Sequence, residues 1–217
     1  LRVLLYQGGF FKEITELKMF FNSFIMATGV AILSVVTSLM AAYALVYYRI
    51  KYATLLVWII FITILVPLEL RIFPTYSVMA ELNLVNSYFG LIVPISASAI
   101  ATLFFRQFYK TVPDELLESA KLDGANTWRF FVDFLIPLSK TMIGAMLIFM
   151  FVFGYNQYLW PLLVTTSEQY WTVVMGLKMM SGSIVHRFAF VMMSMVPPIL
   201  IIIVLQKYFI KGVFQDK

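Results

Sequence analysis

The chain has 217 residues, 62% of them hydrophobic and 12% charged, with a net charge of +5 and a mean hydropathy of +0.90. Globular domains carry about 25% charged residues, so this chain has too few polar side chains to cover a water-facing surface and too many apolar ones to stay disordered. Cysteine is absent and His186 is the sole histidine, which excludes disulfides, thiol nucleophiles and multi-histidine metal sites.

A bilayer core is crossed by a helix of about 20 apolar residues. Five segments have that length: residues 20–48, 52–72, 88–108, 141–164 and 188–208. They are apolar on all sides, as helices tolerate in lipid because their backbones are satisfied internally. Alternating strand patterns are lacking, so the expectation is an all-α polytopic membrane protein and not a β-barrel. Lys and Arg orient it. Arg49, Lys51, Arg106, Lys110, Lys121, Arg129, Lys140, Lys207, Lys211 and Lys217 fall on one side, and Arg2, Lys12, Lys18, Arg71, Lys178 and Arg187 on the other. Ten against six makes the first side cytoplasmic, and the positive surplus suits loops facing anionic lipid. Residues 1–19 then lie outside, and an upstream helix before Leu1 is expected, for six spans with both ends inside.

Within that frame, Glu69 and Arg71 sit near the outer end of the second span. They read as an interfacial pair, with Arg71 also a candidate for phosphate contact because guanidinium matches phosphate geometry. The connection 110–140 has the grammar of two short helices. Asp114 and Glu115 follow Pro113 in a first turn, where negative charge suits the helix dipole. Leu116, Leu117 and Ala120 repeat at helical spacing. Gly124 supplies a stop. Asn126 can cap a second helix through Phe134, with Pro137 ending it.

The fourth span contains Tyr155, Asn156, Gln157, Tyr158, Trp160 and Pro161. Amides inside a span are costly unless they meet partners or water. Two readings stay open: a lining for the path of a polar solute, or packing glue between helices, with Trp160 in an interfacial belt. Pro161 is expected to kink or end the helix. Pro197 and Pro198 are expected to bend the fifth span, and His186 reads as ordinary external surface.

The loop carries a resemblance. Glu118-Ser119-Ala120, three residues, Gly124, nine residues, then Phe134-Leu135-Ile136-Pro137 resembles the EAA motif of ABC importer permeases, with Ser119, Phe134 and Ile136 as modest departures. The segments 66–94, 103–125 and 155–166 are similar to the second permease subunit of carbohydrate-uptake importers, leaning to the branch that carries sn-glycerol-3-phosphate. The resemblance implies a type I importer permease fold of six helices, the first missing here, in a single domain over 1–217 with a coupling loop at 111–137. It implies a bacterial cytoplasmic (inner) membrane location, a sister permease, two ATPase subunits and an extracytoplasmic solute-binding protein. Glu118, Ser119, Ala120, Asp123, Gly124 and Pro137 would form the ATPase-coupling element. Tyr155, Asn156, Gln157, Trp160 and Arg71 are the pathway candidates. An oligosaccharide or a glycerophosphodiester is the alternative solute.

Other functions fit less well. The spans hold no paired acids, and one histidine cannot build a zinc site, which argues against an intramembrane enzyme. No filter-like or acid-ring pattern suggests a channel. No GxxxxGK[ST] occurs, so ATP and Mg belong to the partner ATPases, no cofactor is expected on this chain, and nucleic acid is not a partner.

Overall fold

No charged side chain lies between Lys18 and Arg49, and this run forms the axis of the protein, helix α1 (Phe10–Tyr47). The computed structural model describes residues 10–179 and 184–214. Lys217 and the side chains of Glu69 and His186 fall outside the described residues. Along one face of α1, Ala27, Ala31, Ser34, Ser38 and Ala42 are buried. Small residues at helical spacing let backbones approach closely, which is how helices associate where lipid removes the hydrophobic drive.

Two helices use that face. The first is α8 (Lys140–Tyr155). A Cβ at Gly154 of α8 would stand 3.1 Å from the Ala27 Cα, so any larger residue would crowd this crossing. The second is α5 (Ala99–Tyr109), joined through side-chain hydroxyls. Ser34 Oγ donates to the Ser96 carbonyl at 2.6 Å and Thr102 Oγ1 to Ser38 Oγ at 3.1 Å. On its far side α8 packs against α11 (Ile184–Phe214).

The described residues contain two helices able to cross a bilayer unaided, within Glu16–Tyr47 and Arg187–Val204, and up to five spans if each of three bent pairs counts as one. The second expected span, 52–72, breaks at Val66–Pro67 into α2 (Ala53–Leu65) and α3 (Leu68–Glu81), which turns by 101°. Val66 is extended because the residue before proline is pushed out of the helical region. Arg71 therefore belongs to α3 and not to the end of a continuous span. The third span breaks between α4 (Tyr88–Ile92, prolonged by a 3-10 turn to Ile95) and α5, bent by 48°. The expected fourth span, 141–164, ends at Tyr155 and resumes as α9 (Leu159–Val164). The break thus lies before Pro161, not at it. Pro161 occupies the first turn of α9, where its missing N–H has no intrahelical partner to lose. Pro197 and Pro198 sit inside the unbroken helix α11.

Short connections hold the outer ends. Asn86, with φ 57°, receives the backbone N–H groups of Thr166 and Ser167 on Oδ1 and donates to Thr166 Oγ1. Asn22, buried in α1, donates to the carbonyls of Gln169 and Trp171 and accepts the Tyr88 hydroxyl at 2.7 Å. Two amides thereby tie the stretch 165–171 to α1 and to the entry of α4. After this stretch comes α10 (Val173–Met179), which packs on α1.

Candidate coupling loop and translocation cavity

Past α5 the chain folds into α6 (Asp114–Leu122), with Asp114 and Glu115 in its first turn. Ala120 is fully buried, whereas Glu118, Ser119 and Asp123 are exposed. The Ser119 hydroxyl donates to the Leu116 carbonyl at 3.3 Å, so the departure from alanine is absorbed by its own helix. Gly124 adopts φ 78°. Its N–H donates to the Lys121 carbonyl and that of Ala125 to the Ala120 carbonyl, at 3.0 and 2.9 Å. These two bonds form a Schellman cap, whose left-handed residue is normally glycine.

Two residues later Asn126 Oδ1 accepts the Arg129 N–H at 2.8 Å and starts α7 (Thr127–Leu138). The helix does not end at Phe134. A π-helical stretch, Phe130–Leu135, carries it past Pro137 to Leu138. At Ser139, whose Oγ donates to the Leu135 carbonyl at 2.6 Å, the chain bends by 75° into α8. Pro137 itself is exposed.

An aromatic cluster seats α7 against the carboxyl end of α1. Phe130 and Phe131 are buried. Their rings lie 5.4 Å from Tyr47 and 4.7 Å from Tyr43, respectively. The Tyr43 hydroxyl donates to the Thr127 carbonyl at 2.6 Å. The opposite face is bare. Leu122 is 89% exposed and Trp128 61%, although the Trp128 ring still lies 5.5 Å from Phe131, and Glu118, Lys121, Asp123 and Arg129 on the same two helices and their turn are exposed too. Two exposed apolar residues flanked by charges of both signs, on an element packed from behind, make a candidate docking surface. Neither Leu122 nor Trp128 stands out in the sequence, where an apolar residue on an amphipathic helix reads as core.

A second site lies deeper. A cavity of about 260 Å³ opens where the third span is broken, with walls from α2, α3, α5, α8 and α9. Arg71, Thr63, Thr75, Ser98, Phe153 and Trp160 are among its lining residues. Irregular backbone at membrane depth is tolerated where it faces protein or a watery cavity, and the Ser96–Ser98 break does both. Among the pathway candidates, the structure brings Arg71 and Trp160 together here. Trp160 is buried, and its indole N–H is shared between the carbonyls of Gly90 and Leu91 at 3.1 and 3.2 Å. The other three lie elsewhere. Tyr155 is buried and donates to the Ser194 carbonyl on α11. Asn156 is exposed at the end of α8, and the Gln157 amide donates to the Phe153 carbonyl within its own turn. Ser98, Thr63 and Thr75 were not legible as site residues. The signal was the Pro94-Ile95-Ser96-Ala97-Ser98 run inside an otherwise apolar span.

Known proteins resemble this chain in sequence and in fold. Residues 34–215 match the family of binding-protein-dependent transport system inner membrane components. The sn-glycerol-3-phosphate transport system permease protein UgpE of Yersinia enterocolitica is 43% identical over 92% of this chain and 73% of its own length. The protein of that name from Escherichia coli is 44% identical with the same coverage. A crystal structure of a bacterial ABC transporter that imports the acidic polysaccharide alginate contains a chain that superposes with a TM-score of 0.80. That match covers 96% of this chain and 78% of the other at 21% identity, a likeness of fold. The chain therefore belongs to the inner-membrane permease components of binding-protein-dependent ABC importers.

Proposed function

We propose that the chain is one of two permease subunits in an ATP-driven importer of sn-glycerol-3-phosphate in a bacterial inner membrane. As a permease it is a transport component and not an enzyme, and ATP is hydrolysed by partner subunits. The observation that carries the reading is the coupling element. Its α6 and α7 are joined at Gly124, anchored on Tyr43 and Tyr47, and expose Leu122, Trp128 and Glu118. The solute follows from relatives at 43% and 44% identity whose names carry it. Glu118, Ser119, Ala120, Asp123, Gly124 and Pro137 form the contact with an ATPase subunit. A sister permease completes the pathway, and an extracytoplasmic binding protein delivers the solute.

The mechanism follows from connectivity. Closure of the ATPase pair displaces α6 and α7. Helix α7 continues into α8 through the single bend at Ser139, and Phe149, Met150 and Phe153 of α8 line the cavity. The Tyr43 bond passes the same displacement to α1. Motion at the docking face thus reaches the cavity wall through two packed helices, which gives a physical route for alternating access. The test is reconstitution of the chain with its sister permease, ATPases and binding protein in vesicles. ATP-dependent uptake of labelled sn-glycerol-3-phosphate is the expected result. Uptake without any ATPase subunit would overturn the reading.

A further inference from the structure

We infer that the cavity at the break of the third span seats the phosphate end of the transported solute, with Arg71 as the residue that selects for it. This rests on the permease reading above and adds a binding site within it. Among the described lining residues Arg71 is the sole charged group, and the ion pair between described residues is Arg129–Asp133, far off on α7. A cation near membrane depth is retained where it meets water, a counter-ion or a substrate, and a guanidinium fits a phosphate through two parallel N–H bonds.

The hydroxyls around it divide into donors and acceptors. Ser98 Oγ accepts the Ala101 N–H at 3.1 Å, and its own hydrogen has no acceptor among the described residues, so it can donate to an anion. Thr75 Oγ1 gives its hydrogen to the Arg71 carbonyl at 2.8 Å and Thr63 Oγ1 to the Ile60 carbonyl at 2.6 Å. Both retain lone pairs that can accept from the hydroxyls of a small polyol. The first turn of α5, at Ala99 and Ile100, also borders the cavity. The amino end of a half-helix carries partial positive charge, and broken helices in transporters turn such ends toward anionic groups. With Phe153 and Trp160 flanking the space, the cavity matches a short phosphomonoester better than a neutral sugar.

The chain has no cysteine, so Ile100→Cys in cysteine-free partner subunits places one thiol at the cavity wall. The complete complex in phosphatidylcholine vesicles is treated with a small thiosulfonate reagent. The expected result is that sn-glycerol-3-phosphate and inorganic phosphate slow labelling by at least about fivefold while glycerol does not, the margin a charge-assisted contact supports. Arg71→Gln should abolish that protection and raise the KM for uptake by about tenfold or more, with Arg71→Lys in between. Labelling unaffected by phosphate compounds, or equal uptake by wild type and Arg71→Gln, would overturn the seat while leaving the importer intact. Protection that follows added phosphatidylglycerol in place of the solute would assign the cavity to a lipid headgroup and overturn it. Uptake of neutral sugars alone by the wild-type complex would overturn both this site and the proposed solute.

Discussion

The hydroxyl of Tyr43 donates to the Thr127 carbonyl at 2.6 Å, tying the carboxyl end of α1 to the first turn of α7. That bond and two ring pairs, Tyr43 with Phe131 at 4.7 Å and Tyr47 with Phe130 at 5.4 Å, pack the loop against the end of α1. Tyr43→Phe keeps the ring and removes the bond, at a cost of about 1 kcal/mol. Solute-stimulated ATPase activity should fall a few-fold with the complex still assembled. Tyr43→Ala also removes a buried ring, a further loss of about 2–4 kcal/mol, and should make the Lys121 region more sensitive to trypsin. Trypsin sensitivity equal to wild type in Tyr43→Ala would show that the loop is held by other contacts.

Gly124 sits at φ 78°, and a Cβ there would meet nothing within 4 Å. Within the chain, any effect of substitution is therefore conformational, not steric. Gly124→Val should cost about 1–2 kcal/mol, Gly124→Ala less, and Gly124→Asn least, because asparagine visits the left-handed region readily. Retention of the ATPase subunits through purification should follow the same order. Equal retention in all three would remove the cap from the coupling mechanism.

The two-helix backbone of the 110–140 connection was legible in the sequence because its signals are local. Pro113, Asp114, Gly124 and Asn126 each specify a backbone state within a turn, and each occupies it. The breaks in the spans were not legible, because a hydropathy window averages over them. Ser96 and Ser98 are small enough to disappear into an apolar run, although their backbone carbonyls accept bonds from Ser34 and Ser38 across the α1 interface. Pro161 misled in the other direction, since a proline in the first turn of a helix starts it and does not end it. Leu122 and Trp128 were hidden because an apolar residue on a short amphipathic helix reads as core, whereas both are exposed here.

Leu122 and Glu118 test the docking face directly. Both are exposed, so neither Leu122→Asp nor Glu118→Lys removes packing within the chain, and the stability change should stay within about 0.5 kcal/mol. At an interface the same changes bury an unpaired charge or reverse one, which costs several kcal/mol or about a hundredfold or more in affinity. Membrane insertion and the sister permease should be retained while the ATPase subunits are lost. A complex that keeps its ATPases and wild-type uptake with both changes present would place the motor elsewhere.

Trp160 distinguishes an internal anchor from an interfacial belt. Its indole N–H is shared between two carbonyls of α4. Trp160→Phe removes both contacts, costs about 1 kcal/mol and should lower the thermal midpoint of the purified complex by about 2–4 °C. An unchanged midpoint, read by intrinsic fluorescence or light scattering, would mean that the bonds contribute nothing to holding α4 against α9.

The orientation of the chain follows from two anchors on α1. Asn22 holds the Gln169 and Trp171 carbonyls, and Tyr43 holds the Thr127 carbonyl. At 1.5 Å per residue these anchors are about 30 Å apart along the helix, one hydrocarbon thickness. The two loops therefore lie on opposite faces of the bilayer, and the surplus of Lys and Arg assigns the Thr127 side to the cytoplasm. Glu168 and Lys121 are exposed on these two sides, in a chain without cysteine. In intact cells an impermeant thiol reagent should label Glu168→Cys and spare Lys121→Cys, and inside-out vesicles should reverse the pattern. Labelling of both from one side would contradict the spacing argument. A reversed pattern in intact cells would invert the chain and put the coupling loop out of reach of any cytoplasmic ATPase.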